Sequence, residues 1–296
     1  MQVLAIFGPT AVGKTGVAIA VADALRSSGE SPVAVSCDAL QIYRGLETLT
    51  AAPTAAERER LEHRLVGIAD PGEEFSAGRF AELARAEIDA LLGEGRRPIV
   101  VGGTGLYLRA ALAELELRPP VPAEIRELVE REIAERGPAA LHAEVAPESA
   151  AGIHPNDRKR IARAVELHRA GHEPPPPDGG ELWTASMRRP TVLVGLTMER
   201  ETLAERISAR GRQIATAAAE EARLADAAGA SRTARSAIGF AELLAGDVDG
   251  WEQAQRRFAR RQMTWMRRME GVDEIDCTGR APAEVATEIV AALDRA

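Results

Sequence analysis

Residues 8–15, near the start of the chain, have the types and spacing of a phosphate-binding loop. They read G-P-T-A-V-G-K-T and follow an apolar run at residues 3–7. Glycines let backbone N–H groups turn toward an anion, and the helix that follows adds its positive end at the same point. Lys14 is placed to reach an outer phosphate, and the Thr15 hydroxyl is placed to bind Mg²⁺. The segment predicts a P-loop but leaves its phosphate ester open.

A carboxylate follows the second apolar run of the chain. Residues 33–37 have the pattern of a short buried strand, and Asp38 comes directly after them. The carboxyl ends of parallel strands face the ligand crevice of an open α/β sheet, so we expect Asp38 beside the P-loop. Its position fits a magnesium ligand, a general base and a structural cap for the next turn equally well.

The order of strand and helix patterns predicts the scaffold that positions these groups. Strand patterns lie at residues 3–7, 33–37, 99–101 and 190–196, and helix patterns follow at residues 17–25, 54–64, 76–92 and 203–225. This alternation predicts an α/β fold, a P-loop NTPase-like and mainly parallel sheet flanked by helices. The third strand runs into G-G-T-G at residues 102–105, which fits a packing turn as well as a binding turn.

Proline-rich borders mark an inserted segment. They lie at residues 119–122 and 174–177, the second having the composition of a stiff exposed linker. We predict an all-helical subdomain at residues 118–185, inserted into a catalytic core formed by residues 1–117 and 186–296. Within it, Lys159 and Arg163 stand one turn apart on a helix, which fits either a solvated face or a nucleic-acid contact.

Two more groups of arginines follow the insertion. Arg206, Arg210 and Arg212 share one helix pattern, and an arginine from outside a P-loop can neutralise charge on a leaving group. An ion-paired surface helix explains them equally well. Residues 255–268 contain six arginines and no acid, and a nucleic-acid backbone is the natural partner of so many like charges.

Composition limits the class of protein. The net charge of −8 over 296 residues excludes a protein that coats nucleic acid indiscriminately. The apolar runs are too short to span a bilayer and the start lacks a signal-like segment, so we expect a cytoplasmic protein without membrane contact. Cys37 and Cys277 have the spacing of neither a zinc site nor a disulfide framework.

Several segments together resemble the tRNA dimethylallyltransferases, also called tRNA isopentenyltransferases. The matching segments are the P-loop and residues 36–44, 70–71, 75–77, 102–107, 154–157, 237–240 and 260–265. The resemblance implies transfer of a dimethylallyl group from its diphosphate to N6 of the adenosine just 3′ of a tRNA anticodon. The implied partners are dimethylallyl diphosphate and the tRNA anticodon stem-loop, the implied cofactor is Mg²⁺, and we expect a monomer.

The resemblance also implies roles for individual residues. Asp38 matches the base that takes a proton from the acceptor amine, and Thr10 and Arg210 match its catalytic neighbours. The donor diphosphate is assigned to Gly8, Pro9, Thr10, Ala11, Val12, Gly13, Lys14 and Thr15, and the metal to Thr15. The tRNA is assigned to Asp38, Ala39, Leu40, Gln41, Thr104, Lys159, Arg160, Ile161, Ala162, Arg163, Arg235, Ser236, Ala237, Ile238, Gly239 and Phe240.

The chain departs from the family pattern at three places, one of which is the helix after Arg210, where the usual Gly-Leu turn is missing. Ala39 stands where the family has serine, and residues 49–53 read L-T-A-A-P where the family has G-T-A-K-P.

Three other functions fit part of the sequence. A P-loop small-molecule kinase does not need the basic segments. A non-catalytic RNA-binding module leaves the P-loop and Asp38 unused. A prenyltransferase acting on free adenine nucleotide does not need the insertion or the basic C-terminal helix.

Overall fold

The computed structural model describes residues 1–145, 147–150, 152–172 and 182–295 of the chain. They form two compact units, one made of Met1–Glu114 with Thr184–Ala296 and the other of Leu115–Trp183. The linker predicted at residues 174–177 lies outside the described residues. None of the helices in the described part of the chain is both long and apolar enough to cross a membrane.

A six-stranded parallel sheet forms the centre of the larger unit. Its strands are β1 (Val3–Phe7), β2 (Pro32–Ser36), β3 (His63–Arg64), β4 (Arg97–Gly102), β5 (Thr191–Thr197) and β6 (Val272–Asp276), in the order β3-β2-β4-β1-β5-β6. Ala5 of β1 pairs with Val100 on one side and with Leu193 on the other. Every residue of β1 and β2 is buried, as expected for parallel strands covered on both faces. The predicted α/β class is confirmed.

Helices numbered along the chain cover this sheet. The larger unit contains α1 (Lys14–Ser27), α2 (Glu47–Thr50), α3 (Ala55–Arg60), α4 (Ala77–Gly93), α5 (Gly105–Leu112), α10 (Arg200–Ala227), α11 (Phe240–Leu244), α12 (Val248–Met266) and α13 (Pro282–Arg295). Val17 and Val21 of α1 and Ile289 of α13 pack into the same apolar core as Leu4 and Ile6 of β1. Removing these side chains from water is the main force that holds the P-loop strand and its helix together.

The helix predicted at residues 54–64 is shorter than expected. Thr54 and Glu57 form a capping box that starts α3, but Leu61 is extended, with φ −142° and ψ 120°. Leu61 is buried in the main core, and His63 then pairs with Ala34 of β2. Burial of Leu61 and pairing in the sheet therefore end a helix that its charged sequence would otherwise continue.

The smaller unit is helical in its described part. It contains α6 (Ala123–Arg136), α7 (Pro138–His142), α8 (Pro147–Ala150) and α9 (Arg158–Arg169). Its own core includes Val129, Ile133, Leu141, Ile161 and Val165. The Asp157 carboxylate accepts a hydrogen bond from the backbone N–H of Arg160 at 3.1 Å and so caps α9.

Candidate active site

Two residues with a left-handed backbone conformation, and a close approach to β5, shape the loop between β1 and α1. Ala11 has φ 65° and Gly13 has φ 106°. A Cβ at Gly8 would lie 3.0 Å from the carbonyl oxygen of Leu196, so the chain passes closer to β5 than another residue would allow. The first N–H groups of α1 have no acceptor within the helix, and this loop brings them to the edge of the sheet.

The Lys14 side chain reaches back across the loop that precedes it. Its ammonium donates hydrogen bonds to the carbonyl oxygens of Gly8 at 3.0 Å and Pro9 at 2.9 Å. Burial lowers the pKa of Lys14 to about 8, against the raising effect of Asp38, while Arg210 lowers it further. The charge of Lys14 is therefore only partly offset by Asp38, and an additional anion would stabilise it.

Asp38 lies at the carboxyl end of β2, as predicted. One of its carboxylate oxygens accepts a hydrogen bond from the backbone N–H of Leu40 at 3.0 Å, so the cap considered from the sequence is present. Burial raises the pKa of Asp38, while the Leu40 N–H and the Lys14 charge act in the opposite direction. A carboxylate with a raised pKa takes up a proton more readily at neutral pH than an exposed one does.

A cleft of about 1020 Å³ brings these groups together. Thr10, Lys14, Thr15, Asp38 and Arg210 all line it. Burial lowers the pKa of Arg210, and among the described residues its guanidinium makes no hydrogen bond or ion pair. Part of the cleft wall is apolar, and its residues include Leu49, Ala51, Ala52, Ile214, Ile238 and Phe258.

The segment that carries L-T-A-A-P is fixed from two sides. The Glu221 carboxylate on α10 accepts hydrogen bonds from the backbone N–H groups of Thr48 at 2.9 Å and Leu49 at 2.8 Å. The Gln41 side chain donates to the carbonyl oxygen of Ala51 at 3.0 Å and accepts from the Ser36 hydroxyl at 2.9 Å. Gln41, which the resemblance assigned to tRNA, is thus already engaged in holding the cleft wall.

The glycines at the end of β4 are explained by packing. A Cβ at Gly102 would lie 2.2 Å from the carbonyl oxygen of Cys37, and one at Gly105 would lie 2.2 Å from the Trp265 ring. Thr104, between them, accepts a long hydrogen bond of 3.4 Å from the backbone N–H of Ala39. Of the two turns considered from the sequence, the structure favours the packing turn.

Gln262 joins two loops of the site, although no role was predicted for it from the sequence. It lies on α12, and its side chain is only 3% exposed. Its amide accepts a hydrogen bond from the backbone N–H of Thr10 and donates one to the carbonyl oxygen of Gly103, each at 2.8 Å. Ala259, Gln262 and Met266 are all buried and follow one another at helical spacing, which is the signal that would have placed Gln262 inside.

Residues 235–240, assigned to tRNA, divide into exposed and buried side chains. Arg235 and Ser236 are exposed, and the Arg235 guanidinium pairs with Asp226 and lies 5.8 Å from the centre of the Phe240 ring. Ile238 lines the cleft. The remaining residues, Ala237, Gly239 and Phe240, are buried. We therefore retain Arg235, Ser236 and Ile238 as the residues of this segment that a ligand could reach.

The basic helix α9 presents fewer free charges than its sequence indicates. Arg163 is bonded within its own unit, to Glu166 at 3.3 Å and to the carbonyl oxygen of Pro119 at 3.0 Å. Ile161 is buried in the core of the unit and Ala162 packs against that core. Arg158, Lys159 and Arg160 are exposed, and Arg160 pairs with Asp157 at 3.5 Å. Among the described residues, the unpaired positive charge at the start of this helix therefore lies on Arg158 and Lys159.

A second group of positive charges lies on α12 and at its end. Arg257, Arg260, Arg261 and Arg267 are exposed, follow helical spacing, and are named here the α12 arginine stripe. Arg261 lies 5.6 Å from the centre of the Phe258 ring. Within the described part of the chain, the other three make no ion pair. These arginines face solvent, whereas Gln262 and Met266 of the same helix face the sheet.

Comparison with known proteins identifies the family. The IPP transferase family model matches residues 41–269, and an isopentenyl transferase model matches residues 1–66. The chain is 42% identical to the tRNA dimethylallyltransferase of Anaeromyxobacter dehalogenans (strain 2CP-C), covering 92% of this chain and 94% of that one. It is 38% identical to the tRNA dimethylallyltransferase of Kineococcus radiotolerans, with coverage of 99% and 96%.

Solved structures agree with this assignment. The tRNA isopentenylpyrophosphate transferase of Bacillus halodurans superposes with a TM-score of 0.70 at 32% identity, covering 99% of this chain and 97% of that one. A eukaryotic dimethylallyltransferase acting on tRNA shares the fold, with a TM-score of 0.71 at 22% identity and coverage of 94% and 74%. The chain belongs to the IPP transferase family, together with these tRNA-modifying transferases.

Proposed function

We propose that the protein transfers a dimethylallyl group from dimethylallyl diphosphate to N6 of the adenosine 3′-adjacent to the anticodon in certain tRNAs, releasing diphosphate. Membership of the family supports the reaction class. The observation that carries the proposal is that Lys14, Arg210 and Asp38 all line the same cleft. Two cations suit a diphosphate leaving group, and one carboxylate suits an acceptor amine that must lose a proton.

The donor diphosphate is assigned to the P-loop end of the cleft. The free N–H groups at the start of α1 and the Lys14 ammonium would bind its oxygens by charge-assisted hydrogen bonds. Arg210 makes no ion pair within the described residues, so its guanidinium is available for the charge that grows on the leaving group. The five-carbon chain fits the apolar wall that includes Leu49, Ile238 and Phe258.

Mg²⁺ is proposed as the cofactor of the donor. Thr15, at the start of α1, lines the cleft, and a hard cation bound to phosphates needs only one or two protein oxygens. The described residues hold no cluster of three His, Cys, Asp or Glu that would bind a metal without phosphates. The donor set therefore fits a cation that arrives with the diphosphate. When bound, Mg²⁺ supplies positive charge to the departing diphosphate.

Asp38 is assigned to the acceptor. In the proposed step the adenosine N6 forms a bond to C1 of the dimethylallyl group as the bond from C1 to the diphosphate oxygen breaks. The electron pair of that bond leaves with diphosphate, and the proton from N6 passes to the Asp38 carboxylate. An exocyclic amine is a weak nucleophile, so a carboxylate whose pKa is raised by burial is a suitable base.

The exposed basic side chains support a polymeric acceptor. An adenosine in an anticodon stem-loop must leave its stack to reach the cleft, which costs a few kcal/mol and has to be offset by contacts elsewhere on the RNA. The α12 arginine stripe and Lys159 of α9 offer positive charge for phosphates. We place the reaction in the cytoplasm because its acceptor is tRNA.

Nucleoside mass spectrometry tests this function. Purified protein is incubated with unmodified tRNA, dimethylallyl diphosphate and Mg²⁺, and the digested tRNA is analysed for N6-dimethylallyladenosine. Parallel reactions contain free adenine nucleotide as acceptor, or ATP in place of the prenyl donor. The expected product appears in tRNA alone. Prenylation of the free nucleotide only would identify a prenyltransferase that acts on free adenine nucleotide. Turnover of ATP without prenylation would identify a P-loop small-molecule kinase.

A further inference from the structure

The Gln262 amide is the one side-chain link described between α12 and the P-loop backbone. Its oxygen accepts from the Thr10 N–H and its nitrogen donates to the Gly103 carbonyl oxygen. Only one of the two amide orientations satisfies both partners, because one partner is a donor and the other an acceptor. The contact is therefore specific to a primary amide: a carboxylate cannot donate to Gly103, and an apolar side chain serves neither partner.

The space around this amide is filled by backbone from two loops. A Cβ at Gly103 would lie 2.2 Å from the Gln262 side-chain nitrogen and 3.2 Å from the carbonyl oxygen of Gly8. The amide is thus wedged between the start of the P-loop and the loop after β4. A displaced Gln262 would free Thr10 to change its backbone conformation, because no other hydrogen bond to the Thr10 N–H is found among the described residues.

The bond gives the Thr10 N–H a different role from that of its neighbours. The N–H groups at the start of α1 remain free for an anion, whereas the Thr10 N–H is bonded to protein. Thr10 lines the cleft together with Lys14 and Asp38. Holding the backbone at Thr10 consequently limits the positions that its hydroxyl can take in the cleft.

We infer that Gln262 is a positioning residue for the transfer reaction, which acts through Thr10 by holding its backbone so that the Thr10 hydroxyl meets the reacting groups. The inference rests on the proposed function. Preorganised groups lower the barrier only when their geometry is fixed before reaction, and a small misplacement is costly. The loss of Gln262 should therefore lower kcat while leaving donor KM nearly unchanged.

A double-mutant cycle with Thr10 tests this inference. Gln262→Met keeps side-chain length and removes both hydrogen bonds, and Thr10→Ala removes the hydroxyl while keeping the backbone N–H. We expect Gln262→Met alone to lower kcat about tenfold or more, and to lower it by less than about twofold in the Thr10→Ala background. Gln253→Met, on the exposed face of the same helix, is the matched control and should behave like the parent enzyme.

If Gln262→Met does not fold, Gln262→Ala replaces it in the cycle, because the smaller side chain leaves room for water to bridge the loops.

Two results would overturn the inference while leaving the proposed function intact in the parent enzyme. They are an unchanged kcat in Gln262→Met, and an equal loss of kcat on Gln262→Met in the parent and Thr10→Ala backgrounds. A purely structural role would lower the melting temperature and leave kcat of the folded enzyme unchanged. Absence of transfer in the parent enzyme would instead refute the proposed function itself.

Discussion

The hydroxyl of Tyr43 lies 2.7 Å from the side-chain oxygen of Thr233, although 190 residues separate them in sequence. Tyr43 is fully buried, and Thr233 also accepts a hydrogen bond from the backbone N–H of Phe75 at 3.3 Å. The bond joins the segment after Asp38 to the segment before Arg235. The resemblance assigned residues 38–41 and 235–240, which lie close in sequence to these two side chains, to tRNA. The bond fixes the chain next to one of these segments against the chain next to the other.

Tyr43→Phe removes this hydrogen bond, and the one that the Tyr43 hydroxyl donates to the carbonyl oxygen of Glu73 at 3.1 Å, at nearly constant volume. We expect the free energy of unfolding to fall by about 1–2 kcal/mol, since each buried hydrogen bond contributes about 1 kcal/mol net. Urea denaturation of the two proteins measures the difference. Tyr107→Phe is the matched control, because the Tyr107 hydroxyl makes no hydrogen bond among the described residues although the side chain is only 8% exposed. Equal destabilisation by both substitutions would show that the Tyr43–Thr233 bond contributes nothing specific.

Donor binding should depend on pH through Lys14. The pKa of Lys14 is lowered to about 8. Below this pH the Lys14 ammonium is present and attracts diphosphate. Above it, the neutral Lys14 amine must take up a proton for the donor to bind, so the donor Kd should rise by up to about tenfold per pH unit. Calorimetric titrations between about pH 7 and about pH 9.5, at constant Mg²⁺, would measure this rise, since the phosphates themselves ionise near pH 6.

Lys14→Arg provides the control for this pH dependence. A guanidinium stays charged over the whole range, so the variant should bind the donor with a Kd that hardly changes with pH, even if its geometry makes that Kd weaker. A parent enzyme as insensitive to pH as the arginine variant, together with an unchanged donor Kd in Lys14→Ala, would remove Lys14 from the donor site. Lys14→Ala should in turn abolish transfer chiefly through loss of donor binding.

The α12 arginine stripe should contribute a salt-dependent part of tRNA affinity. Replacing Arg257, Arg260 and Arg267 with alanine should weaken tRNA binding and reduce the slope of log Kd against log salt by up to roughly 2–3, since each neutralised phosphate contributes roughly 0.7–0.9. Filter binding at several salt concentrations gives both quantities. Donor affinity should not change.

A matched triple variant controls for net charge. Arg26 and Arg60 pair with Asp23 at the surface, and Arg64 pairs with Glu62. Replacing these three with alanine removes the same charge from the chain without touching α12. If this variant changes the salt slope as much as the stripe variant does, the effect is one of overall charge and the stripe is not a binding surface.

Strands buried on both faces could be predicted from the sequence, and the edge strands could not. β1 consists of V-L-A-I-F, an apolar run that only a covered strand explains. β6 consists of V-D-E-I-D, in which Ile275 alone is buried, and it lies at the edge of the sheet with β5 as its only neighbour. Its three acids hide the strand pattern, and its position is decided by tertiary pairing with residues 193–197.

The same distinction applies to the site. The P-loop is local, so its glycines, Lys14 and Thr15 could be predicted from eight consecutive residues. Gln262 and Glu221 could not be predicted in this way, because their partners Thr10 and Thr48 lie 252 and 173 residues away. Polar side chains on helices usually face solvent. Helical spacing places Gln262 on the same face as Ala259 and Met266, but only the fold supplies the partners of Gln262 and Glu221.

Asp38→Asn should separate chemistry from binding. Asparagine retains an oxygen that can accept from the Leu40 N–H, so the cap at the end of β2 is preserved while the proton acceptor is lost. We expect transfer to slow by about a hundredfold or more with both substrates saturating, the usual scale for a lost general base. Single-turnover kinetics measure this rate directly, and donor and tRNA affinities should remain close to those of the parent. Asp23→Asn, at an exposed ion pair, is the control for loss of a carboxylate.

The pH dependence of the same reaction gives a second criterion for Asp38. A base must be deprotonated to act, so the parent rate should fall as pH decreases through the pKa of Asp38, which burial raises above its ordinary value. Asp38→Asn should lack this acidic limb. A metal-ligand role would give a different result, namely weaker donor binding that excess Mg²⁺ partly restores. A near-parental single-turnover rate in Asp38→Asn would rule out Asp38 as the base, and rescue by Mg²⁺ would reassign it to the metal.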